Sequence, residues 1–352
     1  MSWLPPDDED DVPYGEYADH AFRQRPNPKA SRPRTKRRPE HADAVTGMVT
    51  AVDRGRYTAL IAADADPEDP RERQVTAARA RELRRTPIVI GDRVQLVGET
   101  SGVEGSLARI VGVGERRTVL RRSADDSDRL ERVMVANADQ MLIVVAAADP
   151  EPRVRLVDRY LVAAYDAGIR PLLCVTKVDL ADPEPFLAHF ASLEVPIFRS
   201  APGTWPLQEI REALAGTTTV FVGHSGVGKS TLINELVPEA DRATGHVNAV
   251  TGRGRHTSSS SVAFRASTPG AAGGESGWVV DTPGVRSFGL GHVTSDAILR
   301  GFTDLAAIID GCPRGCSHAA DAPDCELDVA IADGRLDAAG RSRVESLRRL
   351  LK

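Results

Sequence analysis

Polar and apolar positions alternate with a period of two between about residues 44 and 117. Five short segments carry this alternation: VTGMVTAV, YTALIA, QVTAA, PIVIGDRVQLVG and SLARIVGV. Turn-forming groups such as DRGR, VIGD and SGVEG separate them, as is typical of consecutive β-strands. Five short strands in a stretch of this length predict a small closed barrel, either an OB-fold or an SH3-like barrel.

The pattern changes from about residue 118. Apolar runs now end in polar or glycine-containing loops, at residues 141–148, 170–180, 195–201, 217–226 and 277–284. Helical stretches lie between some of them, at residues 155–168 and 206–216. Near-continuous apolar strands that alternate with helices indicate a parallel sheet covered on both faces. Ligands bind such sheets at the carboxyl ends of the strands.

The two ends of the chain have a different character. The first 41 residues contain an acidic block at 7–11 and a proline-rich stretch at 21–39 with eight Lys or Arg and no acid. We expect a disordered arm, either simply solvated or able to bind a polyanion such as RNA. From about residue 294 the chain reads as mostly helical and includes a Cys/His cluster.

The charge balance excludes some classes of protein. With 50 acidic and 45 basic side chains, the net charge of −5 argues against a uniformly basic nucleic-acid binder but allows local patches. No apolar run approaches the length of about 18 residues that spans a membrane. The acidic N-terminus is unlike a secretory signal, and four cysteines do not make a disulfide scaffold. We expect a soluble cytoplasmic protein without a membrane partner.

Lysine is scarce, since it accounts for only five of the 45 basic residues. A lysine ammonium is a compact point charge, whereas the arginine guanidinium is planar. Lysine in this chain therefore points to positions that require an ammonium. Two of the five, Lys177 and Lys229, fall in the motifs described next.

Residues 223–230 fit the pattern G-x-x-x-x-G-K-[ST], between the strand TTTVFV and the helix STLINELV. In this motif the backbone N–H groups surround phosphates beside a helix N-terminus. Lys229 is predicted to neutralise the β- and γ-phosphates, and the Ser230 hydroxyl to bind Mg²⁺. The predicted phosphate-binding residues are Gly223, His224, Ser225, Gly226, Val227, Gly228, Lys229, Ser230 and Thr231.

A second motif, Asp281-Thr282-Pro283-Gly284, follows the strand WVV. Alone, D-x-x-G would more often be an ordinary turn. Downstream of a phosphate loop, Asp281 is predicted to hold the Mg²⁺ shell and the Gly284 N–H to meet the γ-phosphate.

A third motif identifies the base. Thr176-Lys177-Val178-Asp179 ends the strand LLCV, and Ser200-Ala201 ends VPIF. The Asp179 carboxylate can accept hydrogen bonds from both N1–H and the exocyclic amine of guanine, a donor pair that adenine lacks. The Lys177 stem is predicted to lie across the base, and a backbone N–H at Ser200 or Ala201 to bind the guanine O6. GTP and GDP are therefore the predicted ligands.

The order of these motifs along the chain resembles that of a known class of GTPases. The base-reading motifs come first and the phosphate and metal motifs later, as in circularly permuted GTPases. With a barrel before and a Cys/His module after, the chain resembles the ribosome small-subunit-dependent GTPase A family over roughly residues 44–350. Further matching phrases are NADQ at 137–140, GRGRHT at 252–257 and PGVRSFG at 283–289.

The resemblance implies further roles. Thr257, or less well Thr251, corresponds to a switch threonine that binds Mg²⁺ when GTP is present. Val285 stands where Ras-like enzymes carry a water-orienting glutamine. His256 is implied as the water-positioning residue, the alternative being a solvated loop histidine, so the predicted catalytic residues are His256, Lys229 and Thr257. Thr176 replaces an asparagine whose amide braces the phosphate loop.

The Cys/His cluster has the order Cys312-x₃-Cys316-x-His318-x₆-Cys325. Three thiolates and an imidazole within 14 residues suit a closed tetrahedral Zn²⁺ site. The alternative is a set of reduced cysteines without a metal. Cys174, inside the strand LLCV, is predicted to be a buried packing residue.

Taken together, the sequence predicts a β-barrel of the OB-fold type at 42–118, a circularly permuted α/β P-loop GTPase domain at 119–293 and a mostly helical zinc-binding domain at 294–352, after an arm at 1–41. The resemblance implies a monomeric GTPase that assists late maturation of the small ribosomal subunit by binding its rRNA, with hydrolysis stimulated by the subunit and driving release. A non-catalytic, nucleotide-gated RNA-binding clamp is the alternative. An ATP-dependent P-loop enzyme is disfavoured by Asp179.

Overall fold

The computed structural model describes residues 41–123, 131–237, 261–266, 276–282 and 295–351, apart from 42, 67, 70, 84–85, 192, 300–301 and 303–304. The predicted arm lies outside these residues except for its last position.

The first described region is the barrel. Its strands are β1 (Val45–Asp53), β2 (Arg56–Ile61), β3 (Arg73–Arg79), β4 (Arg93–Gly98) and β5 (Ala108–Val113). They are ordered β1-β2-β3-β5-β4, and β4 returns to pair with β1. β3 and β5 run parallel, whereas the other pairs are antiparallel. This non-sequential closure confirms an OB-fold rather than an SH3-like barrel. Alternate side chains fill its core: Val49, Ala59, Ile61, Val75, Ala77, Val94, Leu96, Ala108 and Ile110.

A hairpin that the pattern did not predict follows the barrel. It consists of β6 (Val119–Ser123) and β7 (Glu131–Ala136), which pair antiparallel. Leu120 and Val135 are buried, and Val135 forms a bridge with Ile90 of the barrel. The hairpin thus connects the barrel to the second sheet region.

The second region contains a parallel sheet. Its strands are β8 (Gln140–Ala146), β9 (Arg170–Thr176), β10 (Ile197–Arg199), β11 (Thr218–Val222), β12 (Val262–Ala266) and β13 (Gly277–Asp281). The strands lie in the order β10-β9-β8-β11-β13. They run parallel, as predicted, although their order was not predicted from the sequence. β12, which was not predicted, runs antiparallel to β13 and pairs with β1 through Ala51 and Val262. The sheet is therefore continuous with the barrel.

Helices cover both faces of this sheet. The α-helices of the described residues, not all of which lie on the sheet, are α1 (Val154–Asp166), α2 (Glu184–Leu187), α3 (Leu207–Leu214), α4 (Lys229–Leu236), α5 (Ser295–Leu299), α6 (Ala306–Ile309), α7 (Glu326–Ala332) and α8 (Ala338–Leu350). Ile143 and Val145 of β8 pack in a core with α1 and α8, whereas Leu142 and Val144 pack in a core with α3 and α4. This alternation is what buries both faces of a strand. Within the described residues, no helix is both long and apolar enough to span a membrane.

The phrase at 137–140 holds the two regions together. The Asn137 amide donates to the Gly91 carbonyl (2.8 Å) and its Oδ1 accepts from the Arg117 N–H (2.8 Å). Asp139 accepts from the Thr218 N–H (2.9 Å) at the start of β11. By its contacts, His41–Lys352 is one unit, and the predicted boundaries at 118 and 293 stay predictions.

Candidate nucleotide site and metal centre

Four of the predicted motifs meet at one edge of the parallel sheet. The loop at 223–228 follows β11, the loop at 176–180 follows β9, Ser200-Ala201 follows β10, and Asp281 ends β13. Because all four strands are parallel, their carboxyl ends lie along the same edge. The sheet therefore brings together residues that are more than a hundred positions apart in the chain.

The phosphate-loop motif requires glycine at three positions. Gly226 and Gly228 have φ of 83° and 91°, in the left-handed region that favours glycine. A Cβ on Gly223 would lie 2.5 Å from the Val144 carbonyl oxygen of the neighbouring strand. Gly228 is also the N-cap of α4, which begins at Lys229. The loop thus leads directly into the helix N-terminus, where backbone N–H groups favour anions.

Two predicted charge-bearing groups are in contact. The Lys229 ammonium donates to Oδ1 of Asp281, and both side chains are mostly buried. Asp281 is opposite Phe221 in the sheet register, and the Thr282 hydroxyl donates to the Phe221 carbonyl (2.9 Å). The register of β11 and β13 therefore places the carboxylate beside the phosphate loop. Ser230 is exposed on the first turn of α4.

The base-reading loops are tied to each other by backbone hydrogen bonds. The Ser200 N–H donates to the Val175 carbonyl (2.8 Å), and the Val178 N–H donates to the Ser200 carbonyl (3.2 Å). Lys177 has φ of 56°, and its ammonium donates to the Asp149 carbonyl. Asp179 is exposed at the end of this turn. The geometry leaves the Asp179 carboxylate accessible at the sheet edge.

Thr176 contacts the phosphate loop directly. Its side chain is fully buried, and Oγ1 lies 2.5 Å from the Val227 carbonyl oxygen and 3.2 Å from that of Val145. Since the family resemblance implies an asparagine here, the sequence predicts that the phosphate loop loses the brace of its amide. The threonine hydroxyl instead supplies one, from β9 to the loop after β11.

One part of this edge was not identified from the sequence. The loop at 147–153 follows β8, the strand between β9 and β11. Pro150 and Leu156 line a small, largely apolar cavity with His224 and Val227 of the phosphate loop. The signal was available, since every parallel strand that ends at this edge adds a loop to it.

Several predicted residues lie outside the described part of the chain. These are Thr251, His256, Thr257, Gly284 and Val285, together with the phrases at 252–257 and 283–289.

The predicted metal ligands converge. The ligand atoms of Cys312, Cys316, His318 and Cys325 all lie within 4.8 Å of one another. Cys312 Sγ is 3.6 Å from His318 Nδ1 and 4.0 Å from Cys325 Sγ, and the latter two atoms are 4.0 Å apart. Tetrahedral zinc, with bonds of about 2.3 Å to sulfur and about 2.0 Å to nitrogen, places its ligand atoms about 3.5 to 3.8 Å apart. The donor set and its spacing therefore fit Zn²⁺.

Backbone amides at this centre donate to two of the predicted sulfur ligands. The Glu326 N–H donates to Cys312 Sγ (3.3 Å) and the His318 N–H to Cys316 Sγ (3.4 Å). Burial raises the pKa of the Cys312 thiol to about 11, so a bound metal would have to displace the thiol proton. Burial lowers the pKa of His318, which favours the neutral imidazole that binds metals.

Comparisons with known proteins agree with this arrangement. A family model described as RsgA GTPase matches residues 113–291. A protein named small ribosomal subunit biogenesis GTPase RsgA from Pseudomonas fluorescens (strain SBW25) is 38% identical over 272 residues, 75% of this chain and 74% of that protein. The protein of the same name from Chlorobaculum parvum is 35% identical over 318 residues, 88% of this chain and 98% of that one.

Two solved structures share the fold. YjeQ from Thermotoga maritima has a TM-score of 0.59 at 22% identity, covering 88% of this chain and 99% of its own. YloQ, described as a circularly permuted GTPase, has a TM-score of 0.58 at 24% identity, covering 88% of this chain and 96% of its own. These matches agree with the permuted motif order.

Proposed function

This chain belongs to the RsgA GTPase family, and from that premise we propose that it hydrolyses GTP to GDP and phosphate during biogenesis of the small ribosomal subunit. It acts as a late maturation factor, whose hydrolysis is stimulated by the subunit and drives release. The observation that carries this proposal is the meeting of the phosphate loop, the guanine-reading loops and Asp281 at one sheet edge.

The phosphate end of the site supplies positive charge, backbone N–H groups and metal ligands. Lys229 neutralises charge on the β- and γ-phosphates, and the backbone N–H groups of residues 223–231 bind phosphate oxygens. Ser230, Thr257 and the shell around Asp281 offer hydroxyl and carboxylate oxygens, the ligands that Mg²⁺ prefers. Mg²⁺ held by these oxygens would neutralise negative charge on the phosphates. The Gly284 N–H meets the γ-phosphate.

The base end of the site provides selectivity. Asp179 accepts from N1–H and the amine of guanine, while the Lys177 stem lies over the ring. A backbone N–H at Ser200 or Ala201 binds O6. Thr176 holds the phosphate loop against this end through the Val227 carbonyl.

Hydrolysis also needs a group that orients water. Valine at position 285 has no polar atom for this task, so we assign it to His256, with Thr257 on the metal. The test is the subunit-stimulated turnover of His256→Ala. We expect it to fall about 100-fold, since positioned polar groups contribute factors of that order. An unchanged rate contradicts the assignment.

The zinc module, the barrel and the basic arm have a role in binding RNA. Zn²⁺ is bound by Cys312, Cys316, His318 and Cys325 and stabilises the helical C-terminal region. The barrel, this zinc module and the basic arm contact rRNA of the small subunit, and the chain acts as a monomer.

One experiment tests the function as a whole. GTP turnover is measured with and without purified small ribosomal subunits, with ATP as the control nucleotide. Turnover that rises with subunits for GTP alone supports the proposal. Absence of turnover with retained RNA binding contradicts it and supports the nucleotide-gated clamp, which Val285 keeps as the second candidate.

A further inference from the structure

Two adjacent arginines near the end of α8 contact different parts of the molecule. Arg348 reaches the metal centre: its Nε donates to the His318 carbonyl (3.0 Å), and its Nη2 lies 4.0 Å from Cys325 Sγ. The same Nη2 donates to Asp328 of α7 (2.7 Å). Arg348 thus holds α8 against the loop that carries the metal ligands.

Arg349 points to the nucleotide domain. Its Nε donates to Oδ2 of Asp158 in α1 (2.8 Å), and its Nη2 donates to the His189 carbonyl (3.0 Å). The guanidinium also lies 5.6 Å from the centre of the Phe190 ring. Asp158 is 6% exposed, and its Oδ1 has no hydrogen-bond partner among the described residues. The buried carboxylate therefore relies on Arg349 for charge compensation.

The same N-terminal part of α1 lies beside the nucleotide edge, the sheet edge where the loops after β8, β9, β10, β11 and β13 meet. The loop before α1 includes Asp149, whose carbonyl accepts from Lys177, and Pro150, which lines the cavity shared with the phosphate loop. Leu156, in the first turn of α1, lines the same cavity. Asp158 follows the start of α1 by four residues, a rise of about 6 Å. The Arg349 contact thus lies about one helical turn from the start of α1, close in sequence to Leu156, which shares this cavity with the phosphate loop.

We propose that Arg348 and Arg349 couple the metal site to the nucleotide site; this inference rests on the proposed binding of Zn²⁺ and GDP. Three thiolates and a neutral imidazole on Zn²⁺ leave one negative charge, which the Arg348 guanidinium faces. The metal fixes the loop that supplies the partners of Arg348, and this fixes the end of α8. Arg349 then holds α1 through Asp158, and α1 supports the loops that bind nucleotide.

The coupling predicts a reciprocal effect. If Zn²⁺ raises the affinity for GDP by some factor, GDP must raise the affinity for Zn²⁺ by the same factor. The affinities for both GDP and Zn²⁺ are therefore measured, using the full chain.

The experiment uses a fluorescent GDP analogue and a zinc chelator. Affinity for the analogue is measured with zinc bound and after zinc is withdrawn, with circular dichroism to follow folding. We expect withdrawal to weaken binding about fivefold or more in the natural chain. In Arg349→Ala the affinity is already reduced and changes less than about twofold. Arg341→Ala, a matched change at an exposed position of the same helix, keeps the natural response.

Asp158→Asn guards against a folding artefact, because it keeps the side-chain shape while removing the charge. We expect Asp158→Asn also to lose the change in GDP affinity on zinc withdrawal. In the reciprocal measurement, saturating GDP slows zinc transfer to the chelator only in chains with both Arg349 and Asp158. Equal GDP affinity with and without zinc, or a full response in Arg349→Ala or Asp158→Asn, overturns the coupling. A chain that binds no zinc or no GDP contradicts the proposed function instead, so the two failures are distinguishable.

Discussion

The nucleotide edge and the metal centre of this molecule are built in different ways. The nucleotide edge consists mainly of backbone at the ends of parallel strands, whose interiors are buried on both faces. The metal centre consists of four side chains on a loop between two helices of only four and seven residues, α6 and α7. The hydrophobic core positions the first, and we expect a bound metal ion to hold the second together.

Burial shows this difference most clearly. In β9 every residue after Arg170 is buried, so the loop that follows starts from a fixed point. Within residues 311–325 only His318 and Cys325 are buried. Such short helices are not stable in isolation, and so little apolar burial does not offset the cost of ordering the chain. We therefore expect a bound metal to contribute the remaining stability of this loop.

The largest effect is expected for Cys325→Ser. A structural zinc ion contributes on the order of 10 kcal/mol to small zinc-dependent domains, and a serine hydroxyl is a poor substitute for a thiolate. We expect loss of bound zinc and protease cleavage within residues 311–325, measured by elemental analysis and limited proteolysis. GDP binding weakens through the coupling but persists, because the sheet edge remains.

Cys174→Ala is the matched control. Cys174 is buried in β9, outside the cluster, and this variant keeps one zinc per chain. Full zinc content in Cys325→Ser contradicts the metal assignment. Complete loss of GDP binding in that variant contradicts the view that the sheet edge keeps its nucleotide-binding residues in place without bound zinc.

Lys229→Ala reverses the comparison, because it removes a charge from the edge that the backbone builds. We expect kcat/KM for GTP to fall about 100- to 1,000-fold, the range seen when one preorganised charge-stabilising group is removed. Zinc content and the folded sheet are unaffected. GTP turnover in the presence of small subunits gives kcat/KM. Elemental analysis measures the zinc content, and circular dichroism measures folding.

Lys229→Arg serves as the control for charge alone. Its planar guanidinium cannot occupy the space of a compact ammonium beside Asp281, so we expect it to remain impaired. Natural activity in this variant means that any positive charge suffices, and that the scarce lysine carries no special meaning here.

The parts of the fold that were predictable share one physical property. Strands such as β8 are buried on both faces, so they stand out as apolar runs. In β12 only Ala263 and Ala266 are buried, and such small side chains give little hydrophobic signal. The hairpin of β6 and β7 was missed because arginine and glutamate interrupt its alternation.

The candidate sites divide in the same way. The phosphate loop and the Cys/His cluster are local in sequence, so spacing alone was enough to predict them. The contacts of Thr176 with Val227 and of Arg349 with Asp158 join residues 51 and 191 positions apart, and only the packed sheet and helices bring them together. No local pattern encodes such pairs.

Asp179→Asn tests whether the exposed carboxylate reads guanine. An amide offers one acceptor where the carboxylate offers two, so we expect GDP affinity to fall about 10- to 100-fold, as for a lost hydrogen bond to a charged group. The amide N–H can instead donate to xanthine, which has a carbonyl in place of the amine. Competition between GDP and XDP measures the switch, and an unchanged preference for GDP contradicts the assignment.

The smallest expected effect concerns a single side chain within the nucleotide edge, which otherwise consists mainly of backbone. Thr176→Val keeps the shape but removes the hydroxyl that reaches the Val227 carbonyl, which is left without this partner. A lost hydrogen bond of this kind costs about 1 kcal/mol, or about a fivefold decrease in GDP affinity. Thr219→Val is the matched control, because Thr219 is equally buried in β11 but its hydroxyl contacts Thr217 rather than the phosphate loop. If isothermal titration finds the same GDP affinity for both variants, the phosphate loop is held by backbone alone. If only Thr176→Val binds GDP more weakly, the Thr176 hydroxyl on β9 braces the phosphate loop. It then replaces the asparagine amide that the family resemblance implies at this position.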